Sequence, residues 1–413
     1  MEFVTGLIQP TSKEISELMA PEMDGAQVVV NGAVHTVRDM GEAAFVVLRK
    51  REGLLQCVFE EGVTDFSLSK IREGATLEAK GVVRREERAP NGIEVRLQEV
   101  TLLSAPADTM PIPIGKWKLN TSLETKLALR PIALRNVRER AKFKIQEGLV
   151  RGFRDYLFGQ QFTEIHTRKI TPKGAEGGAN IFKLEYFHKK AELAQSPQLY
   201  KQMMVGVYDR VFEVAPVFRA EKHNTKRHLN EYTSMDFEMG YIQSFEDIMG
   251  METGFLQYTM DLLQREYGRE LKILNVTLPK TDRIPQVRFD EAKRLVSEKY
   301  NRPIRNPHDL EPEEETLISR YFQEEYGADF VFVTHYPSKK RPFYAMDDPS
   351  DPSVTLSFDL LFNGMEITTG GQRIHDYEML LDKMKMRGMT MEGMEPYLMI
   401  FKYGMRPQGG LGI

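Results

Sequence analysis

Between Gln27 and Leu103 apolar and polar residues alternate in short runs separated by turn-forming residues. This period-two pattern predicts strands over Val28–Val37, Ala43–Arg49, Leu54–Phe59, Thr76–Arg84 and Ile93–Leu102. Five strands in so short a span predict a small closed barrel, a size common among oligonucleotide-binding (OB) folds; a barrel of purely structural role has the same pattern. Pro90-Asn91-Gly92, between the last two runs, has the residue types of a tight hairpin.

Beyond the barrel the pattern changes. Pro106, Pro111 and Pro113 interrupt regular structure around Trp117, so residues 105–122 read as a linker or hinge. Asn136 with Glu139 then opens a helix whose apolar face is Ile145, Leu149, Phe153 and Leu157, and a strand is expected near Phe162–Ile170. Ser196-Pro197 opens a second helix running to about Val207, and Ser244 with Asp247 a third running to about Tyr267. Strands are expected at Val211–Phe218, Tyr232–Tyr241, Asp329–Thr334, Arg341–Met346, Val354–Phe362 and Met365–Thr369. Strands joined by hairpins and separated by long helices predict an α+β protein, an antiparallel sheet flanked by helices. The expected domains are 1–104, a linker at 105–135, and 136–413, with a charged, proline-containing helical segment inserted near 280–325.

Composition narrows the class. With 413 residues, 41% hydrophobic and 28% charged, the chain suits two or three globular domains, and no apolar run approaches the roughly 20 residues of a membrane span. The opening Met1-Glu2-Phe3-Val4 has no signal-peptide pattern, so a cytoplasmic location is expected. Cys57 stands alone and permits no internal disulfide. The formal charge of −4 gives no global attraction to nucleic acid, so any RNA contact must come from a local patch.

Candidate chemistry concentrates in four stretches. Along Val211–Arg219, Glu213 and Arg219 share one face; along Tyr232–Tyr241, Met235, Phe237, Met239 and Tyr241 form the core face, while Ser234, Asp236 and Glu238 point the other way. The loop between these strands, from Ala220 to Glu231, is dense in donors. It could clamp a polyphosphate beside an amine, or be a solvated loop of surface ion pairs. Gln198 and Lys201 share a helix face and could meet a small carboxylate, or form an ordinary exposed turn. In Gly364–Arg373, Glu366 and Thr369 offer hard oxygens for Mg²⁺ and Arg373 a carboxylate fork; the plainer reading is a strand ending in a glycine turn. Glu176, in a glycine-rich loop, could close over an amine. Gly409–Ile413 suits either close backbone approach to a ligand or a frayed end. Walker-type and GxGxxG signatures are absent, so nucleotide binding would need another device.

Taken in order, Gln195-Ser196-Pro197-Gln198-Leu199-Tyr200-Lys201, Phe218-Arg219-Ala220-Glu221, Arg227-His228-Leu229-Asn230-Glu231 and Gly370-Gly371-Gln372-Arg373 resemble the motifs of the archaeal-type, class IIb aspartyl-tRNA synthetases, and the resemblance covers nearly the whole chain. It implies an N-terminal anticodon-binding OB barrel and a class II synthetase catalytic sheet, with ATP and Mg²⁺ as cofactors, L-aspartate and tRNA(Asp) as substrates, and a homodimer. By resemblance Arg219 holds the α-phosphate, Glu221 the adenine amino group and His228 the γ-phosphate, with Arg227 and Leu229 also at ATP. Glu366 and Thr369 ligate Mg²⁺. Lys201 and Arg373 bind the aspartate side chain with Gln198 nearby, and Glu176 or Asp236 meets its amine. His35 and Pro90, which the resemblance places at the tRNA anticodon, resemble the form that also charges tRNA(Asn). Asparaginyl-tRNA synthetases share most of these motifs, and a tRNA-binding paralogue without catalysis or a tRNA-independent amino-acid ligase would keep the same scaffold.

The sequence departs from the family at several points. The third class motif continues in the family into a helix with an adenine-stacking arginine, whereas this sequence stops at Ile413, so a truncated motif is expected. Loss of such a stacked cation costs about 1–2 kcal/mol. Arg168 replaces a proline in the first motif, the link from Pro172 to Gly174 is short, and Arg406-Pro407-Gln408 replaces Pro-Pro-His.

Overall fold

The computed structural model describes residues 11–41, 43–172, 180–222 and 229–413. The chain divides into two compact units at Phe143.

In the first unit β1 (Gln27–Asp39), β2 (Ala43–Arg49), β3 (Leu54–Glu60), β4 (Thr76–Arg85) and β5 (Ile93–Ser104) close into a barrel in the order β1-β2-β3-β5-β4. Alternation puts Val28, Val30, Val46, Leu48, Leu55, Cys57 and Leu77 in one core. The expected tight hairpin is wider: β4 and β5 pair as far as Arg85 opposite Ile93, leaving 86–92 as the loop. Pro90 starts a short 3-10 turn there, and Asn91 and Gly92 both take positive φ. In β1, Val34 pairs with Leu48 and Thr36 with Val47, so His35 is the extra residue of a β-bulge. The proline-rich stretch after β5 has a small core of its own, in which Ile112, Ile114 and Leu119 are buried with Ala133. Asn136 ties that stretch down by donating to the carbonyls of Ile114 (2.9 Å) and Lys116 (2.6 Å). Its Oδ1 accepts from the amides of Arg138 and Glu139, which caps α1 (Val137–Gly159).

The second unit is built on a sheet of β6 (Thr163–Glu164), β7 (Arg210–Phe218), β8 (Glu231–Gly240), β9 (Gln286–Arg288), β10 (Phe330–Thr334), β11 (Ser357–Phe362), β12 (Met365–Arg373) and β13 (Gln408–Gly412). Their spatial order is β9-β10-β11-β12-β13-β8-β7-β6; all pairs are antiparallel except the parallel edge pairs β9–β10 and β7–β6. One face is apolar: Phe212, Phe237, Phe332, Phe358, Leu360 and Leu411 pack with Phe153 and Leu157 of α1 and with Ile248, Phe255 and Leu256 of α3 (Glu246–Glu266). The opposite face is covered at one end by α4 (Phe289–Tyr300) and α5 (Pro312–Tyr326), whose Val296, Ile318 and Phe322 bury Val331, Val333 and Leu361. The rest of that face carries α2 (Gln198–Tyr208) and the polar residues described below.

Three expectations need correcting, and one open choice is decided. The strand near Phe162–Ile170 shrinks to β6, a two-residue edge pairing. Arg341–Met346 is irregular, with one bridge from Ala345 to Arg373: Pro342 has no N–H for a ladder, and Phe343 and Tyr344 turn into a separate apolar cluster. Tyr241 lies just past β8 at φ 60° and is exposed, so strand alternation no longer governs it. Gly409–Gly412, far from fraying, is the strand that joins β8 to β12. A smaller adjustment falls at α2, where Pro197 rather than Ser196 is the N-cap.

Candidate functional site

Three strands and one helix make the floor of the site. Alternation on β8 places Ser234, Asp236 and Glu238 on the open face, and pairing sets Asp236 opposite Gly412 and Glu238 opposite Gly410. A Cβ on Gly412 would stand 2.7 Å from Asp236 Oδ1, and one on Gly410 would overlap both Glu238 Oε2 and the Phe237 carbonyl. Only glycine therefore lets β13 run beside these two carboxylates.

Two cations share the Glu238 carboxylate, and one of them also holds Asp236. Lys201 Nζ, from α2, donates to Asp236 Oδ1 (3.0 Å) and the Leu411 carbonyl (2.6 Å), and lies 3.5 Å from Glu238 Oε2. Arg373, from β12, sets Nε on Glu238 Oε1 (2.7 Å) and Nη2 on Glu238 Oε2 (3.3 Å) and the Gly410 carbonyl (2.9 Å). Lys201 is 1% exposed and Glu238 fully buried, so this network is fixed before any ligand arrives. Burial works against the Arg373 charge, and the Glu238 carboxylate outweighs it, holding the guanidinium above its ordinary pKa. Ser234 donates to Asp236 Oδ2 and completes the row.

The other end of the site depends on a second bulge. Residues three apart on a regular strand face opposite ways, but Leu361 pairs with Glu366 and Leu360 with Thr368, which leaves Ile367 as an extra residue. Glu366 is thereby turned onto the same face as Thr369 and Asp359, and Thr369 Oγ1 donates to Glu366 Oε1 at 2.6 Å. The protein packed around Glu366, and next the Asp359 charge, raise its pKa to about 7, although the side chain stays open to solvent. Arg341 Nη2 donates to Asp359 Oδ1 at 2.7 Å, and its guanidinium lies 4.0 Å over the Tyr336 ring. Among the described residues no group of three or more His, Cys, Asp or Glu converges as a metal cage. Glu366, Asp359 and the Thr369 hydroxyl are instead a sparse hard-oxygen set, of the kind that holds Mg²⁺ when substrate phosphates and water supply the remaining ligands.

Between the two ends lies a cavity of about 440 Å³ that Gln198, Arg219, Asp236, Glu366, Thr369 and Arg373 all line. Gln198 Nε2 is buried there without a hydrogen-bond partner. Arg219, at the end of β7, lies 5.8 Å over the Tyr232 ring, and its backbone N–H donates to the Asn230 carbonyl. Glu221 accepts from Asn180 Nδ2 at 3.3 Å, and Leu229 is exposed. Glu176, Arg227 and His228 lie outside the described residues. A larger cavity, about 780 Å³, opens beside α4, but it includes none of these residues, and the ammonium groups of Lys293 and Lys383 on its wall are already paired with Glu314 and Asp347.

In the barrel unit Pro90 is exposed, whereas the structure buries His35, at 2% exposure. Burial, then the charges of Arg49 and Arg140, pull the His35 pKa down to about 4. The His35 ring is thus neutral and buried on its bulge, while Pro90 stands at the surface of the same barrel.

Sequence reasoning left three participants unassigned. Glu238 was on the correct strand face but had no role, although it is the carboxylate shared by Lys201 and Arg373. Asp359 is the only charge in the apolar run Ser357–Phe362, which could have marked it. Arg341 was hidden in a segment misread as strand.

Residues 122–413 match the family described as tRNA synthetases class II (D, K and N), and residues 28–103 match the OB-fold nucleic acid binding domain. The aspartate–tRNA(Asp/Asn) ligase of Deinococcus radiodurans is 46% identical over 399 residues, which span 95% of this chain and 90% of the relative. The aspartate–tRNA(Asp) ligase of Pyrococcus furiosus is 38% identical, over 97% of this chain and 92% of its own. Among solved structures, asparaginyl-tRNA synthetase from Pyrococcus horikoshii complexed with asparaginyl-adenylate superposes with a TM-score of 0.87 at 30% identity, covering 97% of this chain and 93% of that one.

Proposed function

The chain belongs to the class II tRNA synthetases of the D, K and N group, and from that premise we propose that it attaches L-aspartate to tRNA through an aspartyl-adenylate. In the first step the α-carboxylate oxygen of aspartate forms a bond to the α-phosphorus of ATP as the bond to the β-phosphate bridge breaks and pyrophosphate leaves. In the second the 3′-terminal ribose hydroxyl of tRNA attacks the activated carbonyl, loses its proton and displaces AMP.

The chain's own groups act by placement and charge. Arg219 neutralises the α-phosphate on which charge builds up. Lys201 and Arg373 receive the side-chain carboxylate of aspartate, with the unsatisfied Gln198 amide beside them, and Asp236 takes the ammonium. Glu221 meets the adenine amino group; Arg227, His228 and Leu229 belong to the ATP side and Glu176 to the amino acid side. Mg²⁺ bound at Glu366 and Thr369, the set whose chemistry fits it, would neutralise triphosphate charge.

The observation that carries this reading is that Arg373, held by Glu238 in one network with Lys201, lines the same cavity as Arg219, Asp236 and Glu366. Arg373 on the cavity wall favours a carboxylate over an amide, because asparagine would bring no charge to its guanidinium. Asparagine is the second reading, supported by the likeness to the asparaginyl enzyme.

ATP–pyrophosphate exchange with each amino acid in turn tests the choice. Aspartate should support exchange at least 100-fold better; equal rates, or none with aspartate, would sink the proposal. The tRNA partner is read as both tRNA(Asp) and tRNA(Asn), as the Deinococcus relative's name includes both. Charging of purified tRNA(Asn) with aspartate should therefore be seen. Among the described residues no helix is long and apolar enough to cross a membrane, and we place the enzyme in the cytoplasm, as a homodimer that sedimentation would reveal.

A further inference from the structure

We propose that Glu252 is a positioning residue for Glu366 and Thr369, acting through Thr368 from the opposite side of the sheet. The inference rests on the reading of Glu366 and Thr369 as groups that face metal and phosphate.

Glu252 sits in the middle of α3, where its neighbours on the buried face are Ile248, Met249, Phe255 and Leu256. It is fully buried, and neither carboxyl oxygen makes a hydrogen bond that meets ordinary geometry. The Thr368 hydroxyl, 1% exposed and equally unsatisfied, is the hydrogen-bonding side chain that bears on this carboxyl. An isolated acid on an apolar helix face is costly, and a methionine or leucine would pack there without that cost. Its cost has to be offset by what it holds.

What it faces is the back of the bulge. Thr368 follows the extra residue Ile367, pairs with Leu360, and so points to the α3 side, while Glu366 and Thr369, on either side of it, point to the cavity. The side-chain direction of Thr368 and the cavity-side placement of Glu366 are therefore set by the same few backbone angles. A carboxyl that stays neutral can donate to the Thr368 hydroxyl as well as accept from it. Burial keeps it neutral by pushing its pKa up to about 8. A hydrogen bond between the two side chains would tie the strand, in its bulged form, to α3.

A double-mutant cycle tests the pairing. Glu252→Met and Thr368→Val each remove one polar partner at near-constant volume. The primary readout is Mn²⁺ binding in the presence of ATP, followed by electron paramagnetic resonance; the Mg²⁺ half-saturation of aspartate-dependent pyrophosphate exchange is the second. Each single variant should weaken Mn²⁺ binding by about tenfold, the double variant by no more than the worse single, and Glu252→Gln by under about twofold. Unchanged Mn²⁺ binding in a folded single variant, or fully multiplicative losses in the double, would overturn the proposal, as would a wild-type chain that binds no Mn²⁺ with ATP. If Glu252→Met does not fold, Thr368→Val, with Thr368→Ser as the restoring change, carries the same test. Absence of exchange in the wild type would count against the functional reading alone, since the Mn²⁺ cycle does not need turnover.

Discussion

Lys201 holds three acceptors with one ammonium group, and no water can replace it at 1% exposure. Lys201→Met leaves Asp236 and Glu238 buried with one cation fewer, a loss of about 3–5 kcal/mol for a broken buried pair. We expect kcat/KM for aspartate to fall by at least 100-fold in pyrophosphate exchange, with a lower denaturation midpoint. Glu252 makes a prediction of the opposite sign. Burial raises its folded pKa to about 8 against an ordinary 4.5, so the unfolded chain ionises first. Stability from this group is intact below about pH 4.5 and declines as pH rises to about 8, at most by about 1.4 kcal/mol per unit. Glu252→Gln does not titrate and should gain on the wild type from pH 5 to 8 in urea denaturation; parallel curves would refute this. At this scale the charged candidates could be named from motifs, but Glu238, Asp359 and Arg341 became partners only when register and packing set their neighbours.

Strand β13 shows how an element can depend on having no side chains on one face. Gly410→Ala would push a methyl group into Glu238 and the Phe237 carbonyl, so β13 must shift and carry the carbonyls of Gly410 and Leu411 away from Arg373 and Lys201. Overpacking of this kind costs about 1–3 kcal/mol. Exchange activity should fall by more than tenfold while circular dichroism stays that of a folded protein. The same strand explains a limit of the sequence. The barrel strands and long helices were legible because their apolar residues repeat at two or at three to four. Gly409–Gly412 has almost no side chains to show a period, and Arg341–Met346 shows one that Pro342 overrides. The bulge at Ile367 is equally silent, since it is one additional residue that only the pairing partner reveals.

On the scale of the whole chain, the net charge of −4 could not indicate an RNA partner, and the ordered motifs could. Two compact units and two separate family matches support a division of labour. A chain beginning at residue 122 should keep aspartate-dependent exchange within about tenfold while its KM for tRNA rises by at least that factor, because adenylate formation needs only the sheet. Equal tRNA KM values for the two forms would contradict this. The strand order also fixes a timetable. β8 and β7 can pair as soon as they are made, and β10, β11 and β12 likewise, but β13 comes later in sequence and is the seam between the two halves. Lys201 grips that seam from the earlier half and Arg373 from the later one. On a translating ribosome the proposed amino acid pocket therefore cannot exist until residue 412 has emerged, and a nascent chain that has passed residue 373 but not residue 412 carries two half-sheets with exposed edges, a species in need of a chaperone.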